Sequence, residues 1–109
     1  MNKATFEQIL KSRIDKTHEL LVTKAEEYAA DSDRLHNFNR GSKISGECPA
    51  KVLDGMLLKH YISYRDMLDK VQRGENVSFK HFDEKIGDII VYFLLQEAVM
   101  LDSGLINLV

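Results

Sequence analysis

Glu84 and Asp88 stand four residues apart at the start of a stretch in which nearly every other side chain is apolar. On a helix that spacing stacks the two carboxylates on one face, and Val91 and Leu95 continue it. An ionised carboxylate among apolar neighbours is costly. Protonation, a lysine or arginine from another helix, or a bound cation would relieve the cost. The cation is the alternative that brings chemistry, and it would be Mg²⁺, held directly or through waters. Lys85 and Tyr92 flank the same face. Lys85 reads as a solvated helix-start lysine, and Tyr92 reads as core with its hydroxyl satisfied nearby.

Further candidates lie upstream. Glu27 borders the apolar face of the first helix beside Lys24, and can be a third carboxylate or half of an ordinary helix ion pair. Lys59, Ser63 and Asp66 make a polar strip beside the apolar face of the next helix, within which His60 reads as a hydrogen-bonded core histidine. Asp33 and Asn37 belong to a polar segment rich in acids, amides and bases, able to touch a sugar or a base edge or simply to be solvated. The four histidines have no zinc-like spacing, and Cys48, the only cysteine, reads as structural. There is no glycine-rich phosphate cradle, no GxSxG elbow and no HExxH pair.

These residues must be positioned by helices. Thr5 followed by Gln8 predicts a capping box, and Leu10, Ile14, Thr17, Leu21, Ala25 and Tyr28 recur at helical spacing, so a first helix is expected over roughly 5–30. Residues 31–48 have no clear period and are expected to be a long loop pinned by Leu35 and Phe38. Pro49 suits the first turn of a second helix, whose apolar face runs through Leu53, Met56, Leu57, His60, Tyr64, Met67 and Val71. Arg73-Gly74-Glu75-Asn76 is a turn, and Ser78 an N-cap for the third helix. From Ile86 to Leu101 that helix is apolar almost all round, which predicts a central element buried on every side. Residues 89–95 would suit a buried strand by composition, but no partner strand exists. The expected fold class is therefore all-α: three long helices and one long functional loop, in a single domain spanning 1–109.

With 109 residues, 44% hydrophobic and 29% charged, the chain suits one packed domain with a solvated surface. A formal net charge of −2 gives no electrostatic reason to expect nucleic acid or a membrane surface as partner. Lone Cys48 excludes an intramolecular disulfide and fits a reducing, cytoplasmic setting. Charged residues alternate with apolar ones from Lys3 to Arg13, unlike a signal-peptide core, and no apolar run reaches the roughly 20 residues of a membrane span. Long helices in so short a chain leave flat apolar faces, so a homo-oligomer, dimer or tetramer, is expected.

Two segments, KAEEYAADSDRLHNF (residues 24–38) and EKIGDIIVYFLLQEA (residues 84–98), are joined through GMLLKHYISYRDML (residues 55–68). Together they resemble small phage and prophage proteins grouped with the MazG-like, all-α nucleotide pyrophosphohydrolases and the nucleotide-modification-associated domains. The resemblance covers roughly residues 20–100. It implies a helical bundle completed by oligomerisation. It also implies Mg²⁺ held by an ExxE pair and a later ExxD pair, and water attacking a nucleoside triphosphate to release pyrophosphate. Carried onto this chain, Glu84 and Asp88 match the later pair at a spacing of four instead of three, with Lys85 where the pattern has an acid. Glu27 matches one member of the earlier pair, and Lys24 replaces the other. The resemblance thus implies Glu84 and Asp88 as catalytic, Glu27, Glu84 and Asp88 as metal ligands, and Lys24, Asp33, Asn37, Lys59, Lys85 and Tyr92 as nucleotide contacts. Two lysines in place of acids suit fewer metal ions and direct contact with phosphate. The alternative expectation is therefore a protein that sequesters a nucleotide without cleaving it.

Overall fold

Asn2, not Thr5, starts the first helix. Its Oδ1 accepts from the Thr5 backbone N–H at 2.8 Å, which makes Thr5 the third helical residue and shifts the expected start back by one turn. In the computed structural model, which describes residues 1–24 and 33–106 and leaves the Lys24 side chain undescribed, this helix, α1, spans Lys3–His18. It continues as a π-helical segment, Glu19–Lys24. The Thr17 hydroxyl donates to the Arg13 carbonyl at 2.7 Å two residues before the helix changes pitch, a competing bond that loosens the regular ladder. The remainder of the expected first helix, with Ala25 and Tyr28, lies outside the described residues.

Four α-helices and no strand make up the regular structure of the described residues. The chain divides into two compact units, Met1–Arg34 and Leu35–Val109. In the first, Thr17 is buried, while Phe6, Leu10 and Ile14 are about half exposed.

The second unit holds the other three helices. α2, His36–Ser45, occupies the middle of the segment expected to be a loop. Its polar composition hides it, because only Phe38 faces inward strongly; Phe38 is 6% exposed. Gly46 ends α2 in the left-handed conformation, φ +79°, which a side chain would strain. α3 spans Pro49–Gln72, with Pro49 in its first turn as expected. Gly74, at φ +76°, then turns the chain, and Arg73 pairs with Glu75 at 2.7 Å. α4 spans Phe79–Asp102; the Ser78 hydroxyl accepts from the His81 backbone N–H at 3.1 Å, the cap expected from the sequence.

α3 and α4 pack along their lengths as an antiparallel hairpin, and α2 lies against α3. Phe38, Leu53, Leu57 and Val99 form the core, with Tyr92 and Leu95 packed against it. The Gln96 side-chain amide of α4 donates to the Ala50 carbonyl of α3 at 2.9 Å, tying the far ends of the hairpin. Within one chain α4 is not buried on every side. Phe93 and Leu101 are about half exposed, so the all-round apolar pattern exceeds what α2 and α3 can cover. No described helix is long and apolar enough to cross a membrane.

Where α2 crosses α3, Gly41 admits Val52. A methyl group at position 41 would stand 2.7 Å from Val52 Cγ1, and valine is stiff at χ1. Gly41→Ala should gain about 0.5–1 kcal/mol of helix propensity and lose about 1–3 kcal/mol to overpacking, for a net loss near 1 kcal/mol. In a Val52→Ala background the clash is gone and the same substitution should stabilise. Denaturant unfolding of the four proteins in this cycle checks the change of sign; a stabilising Gly41→Ala in the parent would show the helices free to separate.

Candidate functional site

Apart from Gln96 at its far end, the seam between α3 and α4 is broken by polar side chains midway along it. There His60 of α3 faces Asp88 and Tyr92 of α4, residues that share a face because they are four apart. His60 Nδ1 stands 3.3 Å from Asp88 Oδ2. The His60 ring lies 4.6 Å, centroid to centroid, from that of Tyr92, tilted by 36°. The imidazole therefore touches a carboxylate on one side and a phenol ring on the other. The Asp88 contact is an ion pair when the imidazole is protonated and a polar contact when it is neutral.

Asp88 is less deeply placed than the apolar pattern around it predicts. Its side chain is 37% exposed and that of His60 is 32% exposed. A carboxylate at such a depth keeps part of its hydration, so the cost of its charge is shared between water and His60. The neighbour is a histidine, where the sequence suggests a lysine, an arginine or a cation. His60, which its spacing marks as a core residue, is the group that organises the cluster.

The other candidates lie at varied depths around this cluster or apart from it. Glu84, one turn before Asp88 on α4, is exposed, and Lys85 is half-buried. Lys59 is exposed beside His60. Asn37 is exposed on α2, next to the buried Phe38 whose core cluster Tyr92 joins. Asp33 is exposed and belongs to the Met1–Arg34 unit. Glu27 and the Lys24 side chain lie outside the described residues. Of the named residues, contacts gather Asp88 and Tyr92, through His60.

Among the described residues no group of three or more histidines, cysteines, aspartates and glutamates is placed to hold a metal ion. Glu84 and Asp88 alone are therefore not an all-protein cage. Two carboxylates on successive turns fit a different mode, in which Mg²⁺ keeps several waters and is held jointly by carboxylate and phosphate oxygens.

Gln96, which sequence reasoning does not single out, sits two turns beyond Asp88. Its Oε1 is buried and has no hydrogen-bond partner among the described residues, while its amide nitrogen holds the Ala50 carbonyl. A lone glutamine in the apolar run after Tyr92 is the signal that could have found it. Compared with known proteins, the chain matches no family model, no curated protein and no solved structure.

Proposed function

We propose that the chain binds a nucleotide at the polar break in the α3–α4 seam. The observation that carries this reading is the Asp88–His60–Tyr92 contact set, with the Asp88 and His60 side chains about one-third open to solvent in a mostly apolar interface. A carboxylate, an imidazole and a phenol ring supply a cation-binding oxygen, a phosphate or base donor and a stacking surface. Lys59 and Lys85, on the flanking turns, are available to neutralise phosphate oxygens. In this reading Mg²⁺ arrives on the nucleotide, with Asp88 and Glu84 as its protein oxygens, and supplies charge neutralisation at the phosphates.

The fate of the bound nucleotide has two distinguishable readings. In the first the protein is a MazG-like pyrophosphohydrolase, in which water displaces pyrophosphate from a nucleoside triphosphate. In the second it holds the nucleotide without turnover, and the 3.3 Å approach of His60 to Asp88 favours this one, because a carboxylate engaged by an imidazole has less to offer a metal.

Thermal unfolding with a panel of nucleoside mono-, di- and triphosphates, with Mg²⁺ and with EDTA, tests binding; chromatographic analysis of the same mixtures tests turnover. A nucleotide-dependent rise in melting temperature with intact nucleotide is expected for a sequestering protein, and pyrophosphate release for the hydrolase. No response to any nucleotide defeats both.

A further inference from the structure

Half a turn round α4 from Asp88, the hairpin carries an open groove of about 360 Å³. Its walls are Leu58, Tyr61 and Tyr64 of α3 and Ile86, Ile90 and Phe93 of α4. Leu58 is 55% exposed, Tyr61 44% and Phe93 59%, and nearby Ile62 and Phe82 are similarly open. A polar ligand such as a nucleotide finds few partners here. A protein surface suits it better.

One stripe along α3 indicates which protein. Asp54, Leu58, Tyr61 and Arg65 stand at successive spacings of four, three and four, so they share a face. The stripe has an acid at one end, a base at the other and two large apolar groups between. Such a sequence is complementary to itself when reversed. A two-fold axis between Leu58 and Tyr61 sets Asp54 of each copy opposite Arg65 of the other, and Leu58 opposite Tyr61. Asp54 has no ion-pair partner among the described residues. The Arg65 guanidinium donates to the Tyr61 hydroxyl at 3.3 Å, which directs it along this face and pushes its already high pKa up. Gly55, in the second turn of α3, would meet nothing within 4 Å if given a side chain, so nothing described in its own chain requires a glycine there; close approach by another helix would.

We propose that this groove is the interface of a two-fold dimer, a second copy of the chain lying antiparallel across α3 so that Asp54 of each copy meets Arg65 of the other. The exposed parts of Leu58, Tyr61, Ile62, Phe82 and Phe93 amount to about 500 Å² of apolar surface, taking roughly 150–250 Å² for a whole large side chain. A stable interface of standard size covers about 800 Å² per partner, of which somewhat more than half is apolar. The face is therefore large enough, with a polar rim that Asp54 and Arg65 begin. His60, Asp88 and Tyr92 do not line this groove.

Sedimentation equilibrium on the full chain tests the arrangement. The parent is expected to be a dimer at micromolar concentration. Asp54→Arg and Arg65→Asp each place like charges opposite each other twice per dimer, and each should weaken association at least roughly tenfold. An equimolar mixture of the two variants should recover association, because one copy then carries a base at both positions and the other an acid at both, so both pairs of the mixed dimer again join an acid to a base. The double variant D54R/R65D should dimerise like the parent. Circular dichroism confirms that the variants are helical, as substitutions at two exposed positions should be. A monomeric parent, single variants that associate as tightly as the parent, or a mixture no more associated than its components would each overturn the proposal.

Discussion

Leu53→Ala is expected to lower the free energy of unfolding by about 3–5 kcal/mol, the largest stability loss of any single truncation in the α3–α4 hairpin. Leu53 is completely buried, among Phe38, Leu57 and Val99. Replacing its isobutyl group by a methyl takes away the transfer free energy of three carbons and leaves a cavity between helices that cannot close without losing contacts on α2 and α4 together. Domains of this size have only about 5–15 kcal/mol in all, so the variant should melt more than roughly 10 °C below the parent. Val71→Ala, two-carbon truncation of a side chain that is 55% exposed on the same helix, should cost less than about 1 kcal/mol. Chemical unfolding monitored by circular dichroism measures both. Equal losses at the two positions would place the core elsewhere.

The contrast between those two residues shows what periodicity conveys. Leu53, Leu57, Met67 and Val71 fall on one helical face, and the pattern ranks them alike. Burial separates them: Leu53, Leu57 and Met67 are buried, while Val71, in the last turn of α3, is exposed; Leu53 and Leu57 owe part of their cover to Phe38 of α2, and α2 is the element the sequence conceals. Its eighteen-residue surroundings are rich in serine, asparagine, glycine and charge, and one phenylalanine carries most of its inward contact. Stop and start signals are more legible: Pro49, Gly74 and Ser78 act through local backbone geometry and so do not depend on the rest of the fold. The capping residue of α1 is displaced by one turn because Thr5 and Asn2 are both competent caps and only the position of the preceding chain decides between them.

The same distinction applies to the candidate site. Asp88 and Tyr92 are marked by their spacing on one helix, a local relation. The pairing of His60 with Asp88 depends on the register of two helices joined by a turn, and no motif within either helix encodes it. Apolar neighbours in sequence predict a deeply buried Asp88. Its side chain is 37% exposed even though it faces α3, so sequence neighbours that are apolar need not be buried neighbours.

Asp88→Asn separates the structural part of that carboxylate from its proposed binding part. The amide is nearly the same size, and a partly exposed ion pair with a histidine contributes about 0–1 kcal/mol, so the variant should fold and melt within a few degrees of the parent. Nucleotide binding should respond quite differently. A ligand present at about a hundredfold its dissociation constant stabilises the native state by about 2.7 kcal/mol, and a neutral amide that weakens binding a hundredfold removes most of that stabilisation. The expected result is a parent whose melting temperature rises with nucleotide and Mg²⁺, beside a D88N variant of nearly unchanged intrinsic stability that does not respond and does not turn over nucleotide. His60→Gln, which removes the imidazole and leaves Asp88 charged, divides the remaining possibilities. If the imidazole itself faces the phosphate, this variant loses the response as well; if it only holds Asp88 in place, part of the response survives and its dependence on Mg²⁺ becomes steeper, because the carboxylate is released to the metal. A D88N protein that still gains the full nucleotide-dependent rise would take Asp88 out of the binding site, and with it the reason for placing a nucleotide on this seam.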